Sequence, residues 1–192
     1  MSDELRFDSF NSPVGELRVI SNGSALTGLY MMDAEGRRES SVAANGKSKS
    51  TSLGERRDAD LLRSVRDQIA AWFAGELREF DLELSPSGTP FQLRVWEELR
   101  RIPYGDTINY GELAARIGAP KAVRAVGAAN GRNPISIIVP CHRVIGANGT
   151  LTGYGGGLDR KRILLDHEAR FSGRSLFTLH DSDAARLIRV GD

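Results

Sequence analysis

At Ser85-Pro86-Ser87-Gly88 the hydrophobic pattern of the chain changes period, and this constrains the fold more than any other feature. Ahead of the break the pattern is strand-like. Residues 5–10, 16–20 and 25–32 read as strands, separated by turn chemistry at Asn11-Ser12-Pro13-Val14-Gly15 and by Asn22-Gly23, a strong hairpin signal. A helix is expected over residues 58–75, where Leu61, Leu62, Val65, Ile69, Trp72 and Phe73 share one face and Gly75 stands at the stop. Residues 80–84 return to strand-like alternation. Behind the break helices dominate. Thr89 is placed to cap a helix with Pro90 at its first position, with Phe91, Val95 and Leu99 on one face as far as about Arg101. Ile102-Pro103-Tyr104-Gly105 ends it. Residues 110–117 form a short helix stopped by Gly118, and Pro120 opens another through about Asn130. Strands gathered in one half and helices in the other give an α+β fold class: a small N-terminal antiparallel sheet with a helix, then a mainly helical C-terminal domain.

Two short helices around Gly118-Ala119-Pro120 resemble a helix-turn-helix. The second carries Ala122, Ala125, Gly127, Ala128 and Ala129 and is almost without bulk, with Arg124 the one large polar side chain in its middle. Small side chains allow close approach either to a packed core or to a nucleic-acid groove. Charge favours the groove. Residues 1–85 hold 11 Lys+Arg against 15 Asp+Glu, whereas residues 86–170 hold 12 against 7, so the overall charge of +1 conceals a basic second half.

The 192 residues suffice for one medium domain or two small ones. No apolar run approaches the ~20 residues of a membrane span. The N-terminus, charged from Asp3 onward, has no signal-peptide core. A single cysteine excludes an internal disulfide framework and points to a reducing cytoplasm. Residues 36–57 are polar and read as a long mobile loop, a tolerated insertion.

That one cysteine, Cys141, follows an apolar stretch (Ile135, Ile137, Ile138, Val139) and sits in Pro140-Cys141-His142-Arg143-Val144. Pro140 interrupts the strand, so the thiol is expected at a turn. His142 and Arg143 bring cationic or hydrogen-bonding groups near it, an arrangement expected to favour thiolate. Downstream, Thr152-Gly153-Tyr154-Gly155-Gly156-Gly157 can bring backbone amides close to a ligand.

With Ile102-Pro103-Tyr104-Gly105, Tyr110-Gly111-Glu112-Leu113-Ala114, Arg124-Ala125-Val126-Gly127 and Asn133-Pro134, these motifs make the chain resemble the O6-alkylguanine-DNA alkyltransferases from about Phe7 to Glu168. The resemblance implies a ribonuclease-H-like N-terminal domain (1–85), a winged-helix-like DNA-binding and alkyl-transfer domain (86–170) and a tail (171–192). It implies direct-reversal repair, in which Cys141 takes an alkyl group from O6-alkylguanine in duplex DNA and is not regenerated. His142 is then the base, acting through a water, Glu168 orients it, and Asn133 braces the turn that holds the cysteine. Tyr110 and the amide of Gly155 would donate to the leaving base, Tyr154 would wall its pocket, and the carbonyls of Cys141 and Val144 would accept from its exocyclic amine. The alanine-rich helix would enter the minor groove through Ala125, Ala128 and Ala129, with Arg124 filling the space of the flipped nucleotide.

The implied protein is a monomer in solution, with no cofactor, no membrane partner and no regulatory domain. O4-alkylthymine is a second candidate lesion, and cooperative binding on DNA is left open. A zinc site known in some members is excluded from residues 1–85, which contain neither Cys nor His. The competing readings are a lesion-binding protein without transfer, a cysteine hydrolase, and a helix-turn-helix regulator without chemistry.

Overall fold

The computed structural model describes residues 5–33, the backbone of residues 56 and 57, and residues 62–173. Strands β1 (Arg6–Ser12), β2 (Gly15–Ser21) and β3 (Leu26–Met31) form an antiparallel meander. A short β4 (Arg56–Arg57) adds in parallel beside β1, giving the order β3-β2-β1-β4. The β1–β2 turn needs Gly15, whose φ is +96°. Leu17, Val19, Leu26, Leu29 and Met31 supply the buried face. Against it lies α1 (Arg63–Ala74), through Val65, Ile69 and Trp72. Its end is a left-handed Gly75, as the sequence predicts.

The C-terminal half begins with α2 (Pro90–Arg100), started by a capping box between Thr89 and Gln92. A second capping box, Asn109 with Glu112, starts α3 (Tyr110–Arg116), and α4 (Val123–Gly131) follows. The pair β5 (Ile108–Asn109) and β6 (Val144–Ile145) is parallel and ties the entry of α3 to the residues just after Cys141. The last helix, α5 (Leu158–Phe171), carries a buried stripe of Lys161, Leu164, Leu165 and Glu168.

One hydrophobic cluster runs through both halves, from Leu17 and Leu29 through Trp72, Leu99 and Leu113 to Ile135, Ile137 and Leu164. The otherwise open edge of β3 is covered twice. Leu26 pairs with residues 83–85, and Leu29 pairs with residues 134–136. Among the described residues no helix is long and apolar enough to cross a membrane.

The α+β expectation holds, with local corrections. Residues 80–84 form no strand; only Leu84 bridges to Leu26. Pro120 does not open α4. The amide of Ala122 bonds Ala119 O at 2.8 Å, an i→i+3 turn, so the helix begins three residues later at Val123. Of the expected 36–57 loop, Arg56–Arg57 is strand, and residues 36–55 lie outside the described residues. So do residues 58–61 of the expected helix and the tail from residue 174.

Candidate active site

Cys141 opens a single turn of 3-10 helix, Cys141–Arg143. The turn is set by Pro140 (φ −82°, ψ 62°), whose two neighbours close a tight i→i+2 bond, the Cys141 amide donating to Val139 O at 2.8 Å. Asn133 holds this geometry. Its Nδ2 donates to Val139 O at 2.7 Å and to Cys141 Sγ at 3.0 Å, while its Oδ1 accepts from the Ile135 amide at 3.0 Å. The thiol is 4% exposed. Burial pushes it up from the ordinary thiol range, against the Asn133 bond and the charge of Lys161, which favour thiolate. The His142 backbone also favours thiolate by hydrogen bonding, as expected of that neighbour, but neither its ring nor Arg143 supplies the favourable charge. His142 is itself pushed down from its ordinary value by burial, which outweighs the opposing Glu168 carboxylate. Arg143 is spent elsewhere.

Arg143 and His142 both end on Glu168. The Glu168 carboxylate accepts from His142 Nε2 at 2.8 Å, from Arg143 Nε at 2.9 Å, from Arg143 Nη2 at 2.8 Å and from the Gly105 amide at 3.0 Å. Arg143 Nη1 is satisfied by Ile102 O at 2.6 Å. Burial alone would raise the carboxyl, but His142 and Arg143 outweigh it and hold it at about 2. An ionised Glu168 only accepts, so the proton of neutral His142 resides on Nε2. Nδ1 is then the basic nitrogen, and it has no hydrogen-bond partner among the described residues. The His142 ring is held in turn by an edge contact with Trp72 of α1, centroids 6.4 Å apart.

These shifts predict acid lability. Glu168 sits below its ordinary 4.5, so the stability it contributes is complete above that value and lost as pH falls towards about 2. His142 is also depressed, so below its ordinary 6.5 the unfolded chain takes up a proton that the folded imidazole resists. Thermal melts across pH are expected to show the midpoint falling from the His142 range downward. A midpoint flat from pH 7 to 4 contradicts the assignment.

Lys161 was not anticipated. It is fully buried, with Nζ donating to Val144 O at 2.6 Å and to Thr152 O at 2.8 Å, and burial, opposed by Cys141, lowers it to about 8. The same two carbonyls belong to the segments expected to surround a base. Tyr110 OH meets that loop too, donating to Thr152 O at 3.2 Å or Gly153 O at 3.3 Å. Burial raises the Tyr110 phenol, which therefore stays a protonated donor. The Cys141 carbonyl takes a longer bond from Asn130 Nδ2, 3.4 Å. Tyr154 is buried, its hydroxyl 3.9 Å from Met31 Sδ, and Gly155 lies over α4, where a side chain would come to 3.2 Å from Gly131 O.

On α4, Arg124 and Ala125 are exposed and Ala128 is half-buried. Ala129 is 2% exposed on the inward face with Val126 and Asn130, and its carbonyl accepts from Trp96 Nε1 of α2 at 2.8 Å.

Comparison with known proteins finds matches over nearly the whole described chain. Residues 5–86 match the family described as 6-O-methylguanine DNA methyltransferase, ribonuclease-like domain, and residues 90–170 match its DNA binding domain. The methylated-DNA–protein-cysteine methyltransferase of Mycobacterium tuberculosis is 52% identical over 164 residues, 85% of this chain and 92% of that protein. The enzyme of the same name from Methanosarcina acetivorans is 47% identical over 159 residues, 83% and 95% of the two chains. Among solved structures, M. tuberculosis OGT in complex with DNA superposes with a TM-score of 0.74 at 49% identity, covering 88% of this chain and 94% of that one.

Proposed function

The chain belongs to the 6-O-methylguanine DNA methyltransferase family, and from that premise we propose that Cys141 is its alkyl acceptor, with His142, Glu168, Asn133 and Tyr110 as the machinery around it. The protein performs direct-reversal repair, moving an alkyl group from O6-alkylguanine in DNA to a cysteine of its own chain. The observation that carries the assignment is the Asn133–Cys141–His142–Glu168 arrangement around the chain's single thiol.

The neutral thiol becomes a nucleophile only when its proton leaves. His142 Nδ1 takes that proton through a water, and Glu168 steadies the imidazolium that forms. The Asn133 amide and the Lys161 charge favour the thiolate while it exists. The Sγ–carbon bond then forms as the carbon–O6 bond breaks, and the electron pair leaves on the guanine. Tyr110 OH turns from the 152–153 carbonyls to give that base a proton, with Gly155 N as the second donor. The proton received by His142 returns through solvent to the Tyr110 phenolate, so that in net the thiol's proton ends on the guanine. Val144 O, fixed by Lys161, keeps a lone pair for the exocyclic amine. The thioether has no second nucleophile to remove it, so each molecule reacts once.

Arg124 enters the stack to replace the flipped nucleotide, and Ala125 and Ala128 allow close approach to the minor groove. The division at 85/86, with sheet and α1 on one side and transfer chemistry on the other, belongs to the same reading. A lone thiol that must stay reduced places the protein in the cytoplasm.

Incubation of the full chain with excess O6-methylguanine duplex tests this reading. Intact mass is expected to rise by one methyl and then stop, whereas continued demethylation beyond one equivalent rules out a consumed acceptor. Tyr110→Phe removes the donor to the leaving base and is expected to slow single-turnover transfer about 10²-fold with DNA affinity unchanged. Unchanged rates remove Tyr110 from the machinery.

A further inference from the structure

The segment that leads into Cys141 is backbone-strained, and among the described residues its sheet-like support on the N-terminal side of the thiol comes from the other half of the chain. Ile137 has φ +71°, the one non-glycine residue with positive φ among those described, although it is β-branched and fully buried. The Ile138 amide donates to Ser136 O at 2.9 Å across it. An i→i+2 bond at that φ is the rare, strained form of γ-turn. Four residues later the Pro140 turn presents the thiol. Such a conformation persists only where its surroundings over-determine it. On one side the brace is Asn133. On the other it is Leu29 of β3, whose amide donates to Pro134 O at 2.9 Å and whose carbonyl accepts from the Ser136 amide at 3.0 Å. Residues 134–136 thereby join the edge of the N-terminal sheet.

We propose that the β3 edge at Leu29 positions the Cys141 thiol, by holding the strained Ser136–Ile137–Ile138 turn in register with Asn133. The β3 edge then contributes to alkyl transfer through two backbone bonds. The chain of support is direct. Leu29 fixes Pro134 and Ser136, these fix the ends of the segment that Asn133 spans, and Asn133 Nδ2 reaches Val139 O and Cys141 Sγ together. Loss of the Leu29 bond lets the turn relax, moves Sγ from Asn133, and removes a contact that favours thiolate. This inference rests on the reading of Cys141 as acceptor.

The strand geometry supplies a selective test. Within an antiparallel ladder the amide and carbonyl of one residue point to the same side, and both of those of Leu29 point to 134–136. The neighbours Gly28 and Tyr30 therefore carry the bonds to β2. Leu29→Pro removes the amide donor that faces Pro134 O while leaving the Gly28 and Tyr30 bonds to β2, and Leu29→Ala loses the same packing but keeps the donor. Single-turnover transfer is measured for both at saturating O6-methylguanine duplex, with DNA affinity and the pH–rate profile. Leu29→Ala is expected to lower the melting temperature and to transfer within about twofold of wild type. Leu29→Pro is expected to transfer about tenfold more slowly or worse, at unchanged DNA affinity, with its profile moved to higher pH. Equal rates and profiles in the two variants overturn the inference.

Where Leu29→Pro does not fold, hydrogen exchange in the wild-type chain decides. The amides of Leu29, Ser136, Ile138 and Cys141 are expected to open together, and independent opening of Leu29 overturns the inference. A wild-type chain that never gains methyl at Cys141 fails the acceptor reading, whereas a methylated wild type with matched variants fails the positioning alone.

Discussion

Cys141→Ser is expected to abolish alkyl transfer completely while DNA binding persists. The substitution is nearly isosteric. Asn133 Nδ2 can donate to a hydroxyl as it does to Sγ, so the turn at Pro140 keeps its support. The chemistry is not conserved, because attack on the alkyl carbon needs an ionised nucleophile and a serine hydroxyl is far less acidic than even a buried thiol. The exposed face of α4, with Arg124 and Ala125, is untouched. Electrophoretic binding to an O6-methylguanine duplex should match wild type, and the lesion should survive prolonged incubation. Residual transfer by Cys141→Ser identifies another acceptor.

Glu168→Gln is expected to damage stability and rate together. The carboxylate is 1% exposed and receives bonds from His142, Arg143 and Gly105 at once. An amide can accept some of them, but it also turns a donor towards groups that only donate, and it leaves the Arg143 guanidinium buried without its counter-charge. Breaking a buried pair from one side costs about 3–5 kcal/mol. His142 also loses the anion that fixes its proton on Nε2 and stabilises the imidazolium, so transfer should slow by about 10²–10⁴-fold. Denaturant unfolding and single-turnover kinetics on the same preparation check both effects. A variant with wild-type stability and rate shows that Glu168 is a spectator.

The parts of this fold written in local signals were readable from the sequence. Thr89-Pro90 with Gln92, Asn109 with Glu112, and Gly75 each specify a helix end through contacts three or four residues away. Pro140 ahead of Cys141 likewise marked a turn at the thiol. What escaped depends on contacts distant in the chain. Residues 80–84 alternate like a strand, yet only Leu84 finds a partner, because β3 offers its edge to 134–136 as well. Nothing in the run of alanines tells which side of α4 is inward; the bond from Trp96 of α2 to Ala129 O fixes it. Lys161 could have been found. It stands with Leu164, Leu165 and Glu168 at i, i+3, i+4 and i+7, and two opposite charges on one apolar helical stripe indicate buried groups with partners elsewhere. The pairing of Leu29 with 134–136 had no local signal, since backbone bonds between segments a hundred residues apart leave no mark on side-chain choice.

The central claim is tested most directly by mapping the methyl group. Trypsin cuts after Arg132 and Arg143, which isolates residues 133–143 with the chain's single cysteine. After reaction of the full chain with an O6-methylguanine duplex, fragmentation of that peptide is expected to place one methyl on Cys141 in every reacted molecule, with His142 unmodified. Demethylated DNA alongside an unmodified Cys141, or a methyl on any other residue, contradicts the account.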